Sequence, residues 1–359
     1  MTPGPLLTLQ TINDMILSCP LPKLDFDTIN LGHGSGGTLT SQLLDAGVFK
    51  LLENDLLNKK HDGAIFNING NVAMSTDTYV VSPIFFEGGN IGDLAVNGTV
   101  NDLAMCGASP KYLTLGFVLE EGLKMTEFWE ILLSIKAACE AAGVQIITGD
   151  TKVVERGKGD KIFINTTGIG EVHPKAQIDV DRIKAGDKII LSGPLARHGI
   201  TIMSHRQGLQ FETTIASDTR PLNKIVLSLL DEFGEHVHLT RDPTRGGLAT
   251  VLNEIAVGAS LGIDIAQKRI PVEEEVYGAC EMLGLDPLYV ANEGLFVAVV
   301  DASVADDFLL SLKQWEHGSK ASIIGEFTVN HARQVVMKSN IGGHRVVNML
   351  AGEQLPRIC

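Results

Sequence analysis

The chain closes on Pro356-Arg357-Ile358-Cys359. Cysteine is the most nucleophilic side chain available near neutral pH, and at a terminus it is expected to enter a pocket unhindered. The stretch before it, Met349-Leu350-Ala351-Gly352-Glu353-Gln354-Leu355, holds a glycine and no helix or strand period. Extended from Leu350, such a tail reaches roughly 30 Å at about 3.3 Å per residue, enough to cross from one domain to a cleft on another. By itself this is an ordinary frayed end with an incidental thiol. It becomes chemistry if a site upstream receives the sulfur.

Three separated acids are candidates for that site. Asp77 ends a predicted strand over 72–77, Asp102 lies inside a predicted buried helix over 91–106, and Asp150 falls late in a predicted strand over 144–152. Each alone is an ordinary cap or turn acid. Together they offer hard oxygen ligands of the kind that hold Mg2+ against substrate phosphates. Leu31-Gly32-His33-Gly34-Ser35-Gly36-Gly37-Thr38 is a glycine-rich loop ahead of a helix that Thr38 or Thr40 can cap. Such a start is a ready anion site, although no Gly-Lys-Ser/Thr follows to make it a Walker A loop. Arg241-Asp242-Pro243-Thr244-Arg245-Gly246-Gly247 offers anion-binding groups before a second helix, and Glu293 sits at a turn where a carboxylate can face a cleft. His236 and His238 share a strand face but have no third ligand, so they read as surface histidines.

The bulk numbers bound the setting. With 359 residues, two domains are expected. A formal net charge of −14 excludes a general nucleic-acid binder, which needs a basic face. It also leaves nucleotide phosphates dependent on metal ions and backbone amides. The five cysteines are scattered and form no C-x-x-C, which argues against a disulfide framework and for a reducing cytosol. No secretory leader or membrane-length apolar run is read, so a cytoplasmic protein away from the membrane is expected.

The predicted elements alternate strand and helix, an α/β pattern. Asn69-Gly70 is read as a hairpin turn between strands at 64–68 and 72–77. Further strands are predicted at 113–119 and 162–170, and a helix at 126–142. A polar, proline-containing stretch near 171–183 reads as a linker. The expected organisation is an extension at 1–28, a first domain at 29–172, a second at 183–348 and a mobile tail at 349–359.

Residues 32–38, 75–83, 97–110, 148–153, 242–247, 292–294 and 356–359 together resemble the HypE family of hydrogenase maturation factors, within the ATP-binding superfamily of aminoimidazole ribonucleotide synthetase. The internal stretches are shared across the superfamily; the terminal Pro-Arg-Ile-Cys singles out HypE. The resemblance implies two α/β domains, with the N-terminal sheet joining its partner across a homodimer, and ATP with Mg2+ near that interface. It implies a carbamoyl group placed on Cys359 by the carbamoyltransferase HypF and dehydrated with ATP to an S-cyanide. The cyanide then passes to iron on a HypC–HypD complex for nickel–iron hydrogenase. On this reading Asp77, Asp102 and Asp150 hold Mg2+, with Asp62 a weaker candidate. Asn101 joins the nucleotide site, and Gly34, Ser35, Gly36 and Gly37 cover the phosphates. Lys152 steadies charge on the transferred group, and Glu293 takes the amide protons. Two alternatives stay open here. One is another ATP-using enzyme of the superfamily, akin to selenophosphate synthetase or thiamine-monophosphate kinase; the other is a nucleotide-switched assembly scaffold.

Overall fold

The computed structural model describes residues 26–60, 63–208, 215–350 and 357–359. The glycine loop leads into the short helix α1 (Thr38–Leu43). Apolar and β-branched runs then build a four-stranded sheet from β1 (Val72–Tyr79), β2 (Ala108–Glu120), β3 (Gln145–Val154) and β4 (Ile162–Val172), in the order β1-β4-β2-β3. Only β2 and β3 run parallel, and α3 (Met125–Ala142) makes the crossover between them. The hairpin expected at 64–72 does not form. β1 takes its ladder from β4, pairing Asp77 with Thr166, and residues 64–68 lie outside any strand. Phe66 packs instead on Tyr112, ring centroids 4.7 Å apart.

One helix, α2 (Ile91–Met105), is the axis of the molecule. Every residue of it except Asp102 is buried. Its small residues let it lie close against the sheet: a Cβ on Gly98 would stand 2.1 Å from the Tyr79 hydroxyl. Thr99 and Thr166 hydroxyls meet at 2.6 Å, and Thr166 donates onward to the Ala95 carbonyl at 2.9 Å. Asn90 caps the helix. Its Oδ1 accepts from Gly92 N at 2.8 Å, and its Nδ2 donates to the buried Ser134 hydroxyl of α3 at 2.6 Å.

The second domain carries a seven-stranded sheet: β5 (Lys188–Leu191), β6 (Val237–Arg241), β7 (Gly262–Ala266), β8 (Val297–Val300), β9 (Ser322–Thr328), β10 (Val335–Lys338) and β11 (His344–Val347). Its order is β11-β10-β7-β9-β5-β8-β6, antiparallel but for β10 against β7. Helices α4 (Arg197–Gln207), α5 (Asn223–Phe233) and α6 (Gly247–Ala259) pack around it. The domains share an apolar cluster in which Ala104 and Met105 of α2 meet Ile190, Leu222, Leu229 and Phe296. The stretch predicted as a linker is tied to both domains. His173 N bonds Gly107 O and Asp179 N bonds His238 O, each at 2.9 Å. His238 is no surface residue: its Nδ1 lies 2.7 Å from buried Asp187 Oδ2. Among the described residues no helix is long and apolar enough to cross a membrane.

Asn90→Ala removes the cap of α2 and its buried bond to α3. It is expected to cost about 2 kcal/mol, read as a lowered urea midpoint. An unchanged midpoint would deny α2 its anchoring role.

Candidate active site

The terminal residue is inside the protein. Ile358 and Cys359 are only 3% and 7% exposed, and the Ile358 side chain joins the core of the first domain. The last three residues lie alongside the chain that leaves β1. Val80 N donates to a main-chain carboxylate oxygen of Cys359 at 3.1 Å, and Ser82 N to the Arg357 carbonyl at 3.4 Å. The Arg357 guanidinium bonds the Val80 carbonyl, pairs with Asp160 and lies over the Phe163 ring. Residues 351–356 fall outside the described chain.

Cys359 helps to line a cavity of about 150 Å³ with Thr76, Asp77, Gly98, Asp102, Asp242, Thr244, Arg245 and Glu293. Four segments meet there: β1 brings Asp77, α2 brings Asp102, and the 242–245 and 293 turns come from the second domain. Among the described residues Arg245 is the only cation on this wall, and it shares the cavity with the sulfur. Ionised, the Cys359 sulfur would hold Arg245 above its ordinary range. Burial first, then the Glu293 carboxyl, pushes the Cys359 thiol up to about 12, with Arg245 opposing, so the docked sulfur is a neutral thiol. Burial also raises Asp242 to about 7, and lifts Asp102 against the bond that Asp102 Oδ2 accepts from Ser75 Oγ at 2.6 Å. Glu293 is pushed well above the carboxylate range by burial and by Asp242, Asp218, Asp77 and Asp102. Its Oε1 is buried without a hydrogen-bond partner. An orphaned oxygen on a cavity wall marks a place for a ligand group.

One chain does not bring the sequence candidates together. Asp77 lies on β1, while Asp150 and Lys152 lie on β3, the opposite edge of the sheet. Three strand steps separate them, about 14 Å. Asp150 and Lys152 pair with each other in solvent, and that bond holds the Asp150 carboxyl below its usual range. Asp77, Asp102 and Asp150 therefore cannot hold one ion within one chain, and no group of three or more such ligands converges among the described residues. The glycine loop belongs to the β3 side. A Cβ on Gly34 would meet Val153 N at 2.6 Å. Ser35 Oγ bonds the Gly32 carbonyl at 3.0 Å, Gly36 N bonds Thr40 Oγ1 at 2.9 Å, and Gly37 precedes α1. Asp62 lies outside the described residues.

Asn101 departs from its expected nucleotide role because its amide is already committed. Nδ2 donates to the carbonyls of Arg220 and Glu293 at 3.0 and 3.3 Å, and Oδ1 accepts from Leu222 N at 2.8 Å. Glu293 is held further by Asp218, whose carboxylate accepts from the Glu293 and Gly294 amides at 3.2 and 3.0 Å. The sequence reading missed Asp218, gave Asp242 no role, and took Arg245 only as part of an anion-binding loop. For the latter two the signal was present: an Asp, a Thr and an Arg before paired glycines at a helix start. For Asp218 no local pattern exists, because its partner turn is 75 residues away.

Comparison with known proteins agrees with this geometry. Residues 60–172 match the AIR synthase related protein, N-terminal domain, and residues 184–338 match the C-terminal domain of the same family. Carbamoyl dehydratase HypE of Azotobacter vinelandii is 47% identical over 92% of this chain and 97% of its own length. A crystal structure of hydrogenase maturation protein HypE in complex with ATP is 47% identical, with a TM-score of 0.88 over 92% of this chain and 99% of that one. The HypE–HypF complex structure matches at 41% identity and TM-score 0.76, over 88% of this chain and 100% of the matched one. A thiamine-monophosphate kinase of Stenotrophomonas maltophilia, 20% identical at TM-score 0.62 over 83% of this chain and 95% of its own, shares the fold alone. The superfamily alternative and the scaffold alternative are thus not favoured. The chain belongs to the AIR synthase related family and, within it, to the HypE carbamoyl dehydratases of hydrogenase maturation.

Proposed function

We propose that the chain dehydrates an S-carboxamide on its own Cys359 to an S-cyanide, at the expense of ATP, to supply the cyanide ligand of the iron in nickel–iron hydrogenase. The observation that carries this reading is the seat of the terminal sulfur, buried among four carboxyls beside Arg245. A relative solved with ATP supports the nucleotide, and one solved with HypF supports that protein as the source of the carbamoyl group. A HypC–HypD complex carrying iron is the acceptor on this reading, and the cytosol its setting.

The residues fit Mg2+ and ATP in a divided way. Asp77 and Asp102 offer hard oxygens on the cavity wall, suited to Mg2+. The cavity is lined mainly by carboxyls, threonine hydroxyls and one guanidinium, which suit a carboxamide and a phosphoryl group and offer no apolar face to a base. The nucleoside therefore lies outside the cavity, and phosphate contacts from Gly34 to Gly37, Asp150 and Lys152 come from a second copy of the chain. The outward sheet face supports such a homodimer. Val72, Met74 and Val118 are 46%, 68% and 37% exposed there, and among the described residues β1 is an edge strand.

ATP supplies a phosphoryl group for the amide oxygen, turning a poor leaving group into phosphate; Mg2+ held by Asp77 and Asp102 would neutralise charge on it. The C–O bond then breaks, one nitrogen proton passes to Glu293 and the other leaves with the phosphate, and Cys359 is left as S–C≡N beside ADP. Glu293 takes one proton at its orphaned Oε1 while ionised, the form that burial disfavours and that makes it a strong base. Its raised basicity suits a weakly acidic N–H. Arg245 keeps the sulfur in place. Tethering supplies orientation that an untethered carboxamide lacks.

A neutral, buried thiol is a poor nucleophile, so carbamoylation requires Cys359 outside the cavity. Intact-mass spectrometry of the carbamoylated protein should show loss of one water on Cys359 after ATP is added. Glu293→Gln should slow that loss about 10²–10⁴-fold with carbamoylation retained. ATP hydrolysis at unchanged mass would refute the dehydration.

Docking should also depend on pH. The docked thiol titrates at about 12, a free cysteine at about 8.5. The seat therefore prefers the protonated sulfur. Protection of Cys359 from alkylation, measured against a free Arg-Ile-Cys peptide at each pH, should be flat below about 8.5 and fall about tenfold per unit above it. Protection constant to pH 10 would contradict the buried thiol.

A further inference from the structure

We propose that His198 is the positioning residue that seats the C-terminal tripeptide, by donating a hydrogen bond to the main-chain carbonyl of Ile358. The imidazole is wholly buried in α4, edge-on to Phe86 with ring centroids 5.5 Å apart. Its Nε2 lies 2.9 Å from the Ile358 carbonyl and its Nδ1 lies 2.8 Å from Ser217 Oγ. A carbonyl only accepts, so Nε2 carries the proton. In the neutral ring Nδ1 then accepts from the Ser217 hydroxyl. Ser217 is itself fixed: its Oγ accepts from Thr219 N at 3.2 Å, and its own amide bonds Glu87 O at 2.8 Å. The tautomer that greets the tail is thereby set from behind. Burial keeps the ring neutral.

The same helix face reads a second carbonyl. Arg206, two turns on, donates to the carbonyl of Arg357 and, at 2.5 Å, to that of Ser82. The helix is also mounted on the frame that carries Glu293. Ala196 N donates to Asn292 Oδ1 at 2.7 Å, and Gly199 N to Ala291 O at 3.0 Å. All of these tail contacts fall on main-chain atoms or on Arg357. Carbamoylation and dehydration leave those atoms unchanged. The seat therefore holds thiol, carboxamide and cyanide alike, while Arg245 alone meets the atom whose chemistry changes.

The inference rests on the reading above, yet its test reads docking alone, so either can fail without the other. The full-length protein is alkylated with iodoacetamide and each cysteine is followed by peptide mass spectrometry. His198→Phe keeps the ring and loses the donor. It should raise the Cys359 rate about tenfold, while the buried Cys139 and Cys280 stay protected as markers of an intact fold. His198→Gln, which restores an N–H donor, should recover part of the protection. If His198→Phe exposes the buried thiols as well, Ser217→Ala decides, with Cys359 alone expected to react about threefold faster. Cys359 as protected as in the parent protein, in whichever of these variants keeps Cys139 and Cys280 protected, would overturn the proposal.

Discussion

Asn101 holds the two domains in one register. It sits fully buried on α2, a helix of the first domain, and its amide is spent on three main-chain groups of the second. The Thr240 hydroxyl adds a bond to the end of the same helix, reaching the Met105 carbonyl at 2.7 Å. A buried amide with every group paired is specific in a way that apolar contact is not, since any slip leaves a donor or an acceptor unmet. Asp102 is the next residue along, and Glu293 is one of the three partners. The distance between the two acids is therefore set by the interaction that joins the domains.

That arrangement creates an electrostatic problem which the tail helps to solve. Four carboxyls face one small cavity, with a single guanidinium among them. Burial lifts Asp102, Asp242 and Glu293 toward their neutral forms, which limits the repulsion. A thiolate would add to the negative charge, whereas a thiol, a carboxamide or a cyanide does not. The pocket is thus matched to the uncharged states of its own substrate. Attack by the sulfur on a carbamoyl donor needs the thiolate, and so needs a different place.

The chain showed much of this before any coordinates. The periodicity over 91–106 and 126–142 marked α2 and α3, because buried helices carry long apolar runs between clear caps. Asp77, Asp102, Glu293 and Cys359 were each visible as an acid at an element end, an acid in an apolar helix, a turn acid and a terminal thiol. Their convergence was not visible, because it depends on the register between two domains. The same blindness hides which acids share a wall within one chain. Asp77 and Asp150 both end strand-like runs, and nothing local says that two strands lie between them. His198 left no trace at all, since its partner is 160 residues away and its own helix reads as ordinary.

The central claim is that the modified end of the chain meets the nucleotide at the wall formed by Asp77 and Asp102. The most direct measurement is the carbon-13 resonance of a carbamoyl group carried on Cys359, with Mn2+ in place of Mg2+ and a non-hydrolysable ATP analogue bound. The account predicts that the resonance broadens beyond detection when ion and analogue are both present, and returns when the ion is chelated. A sharp resonance with the nucleotide site filled would place the carboxamide away from the phosphates and contradict it.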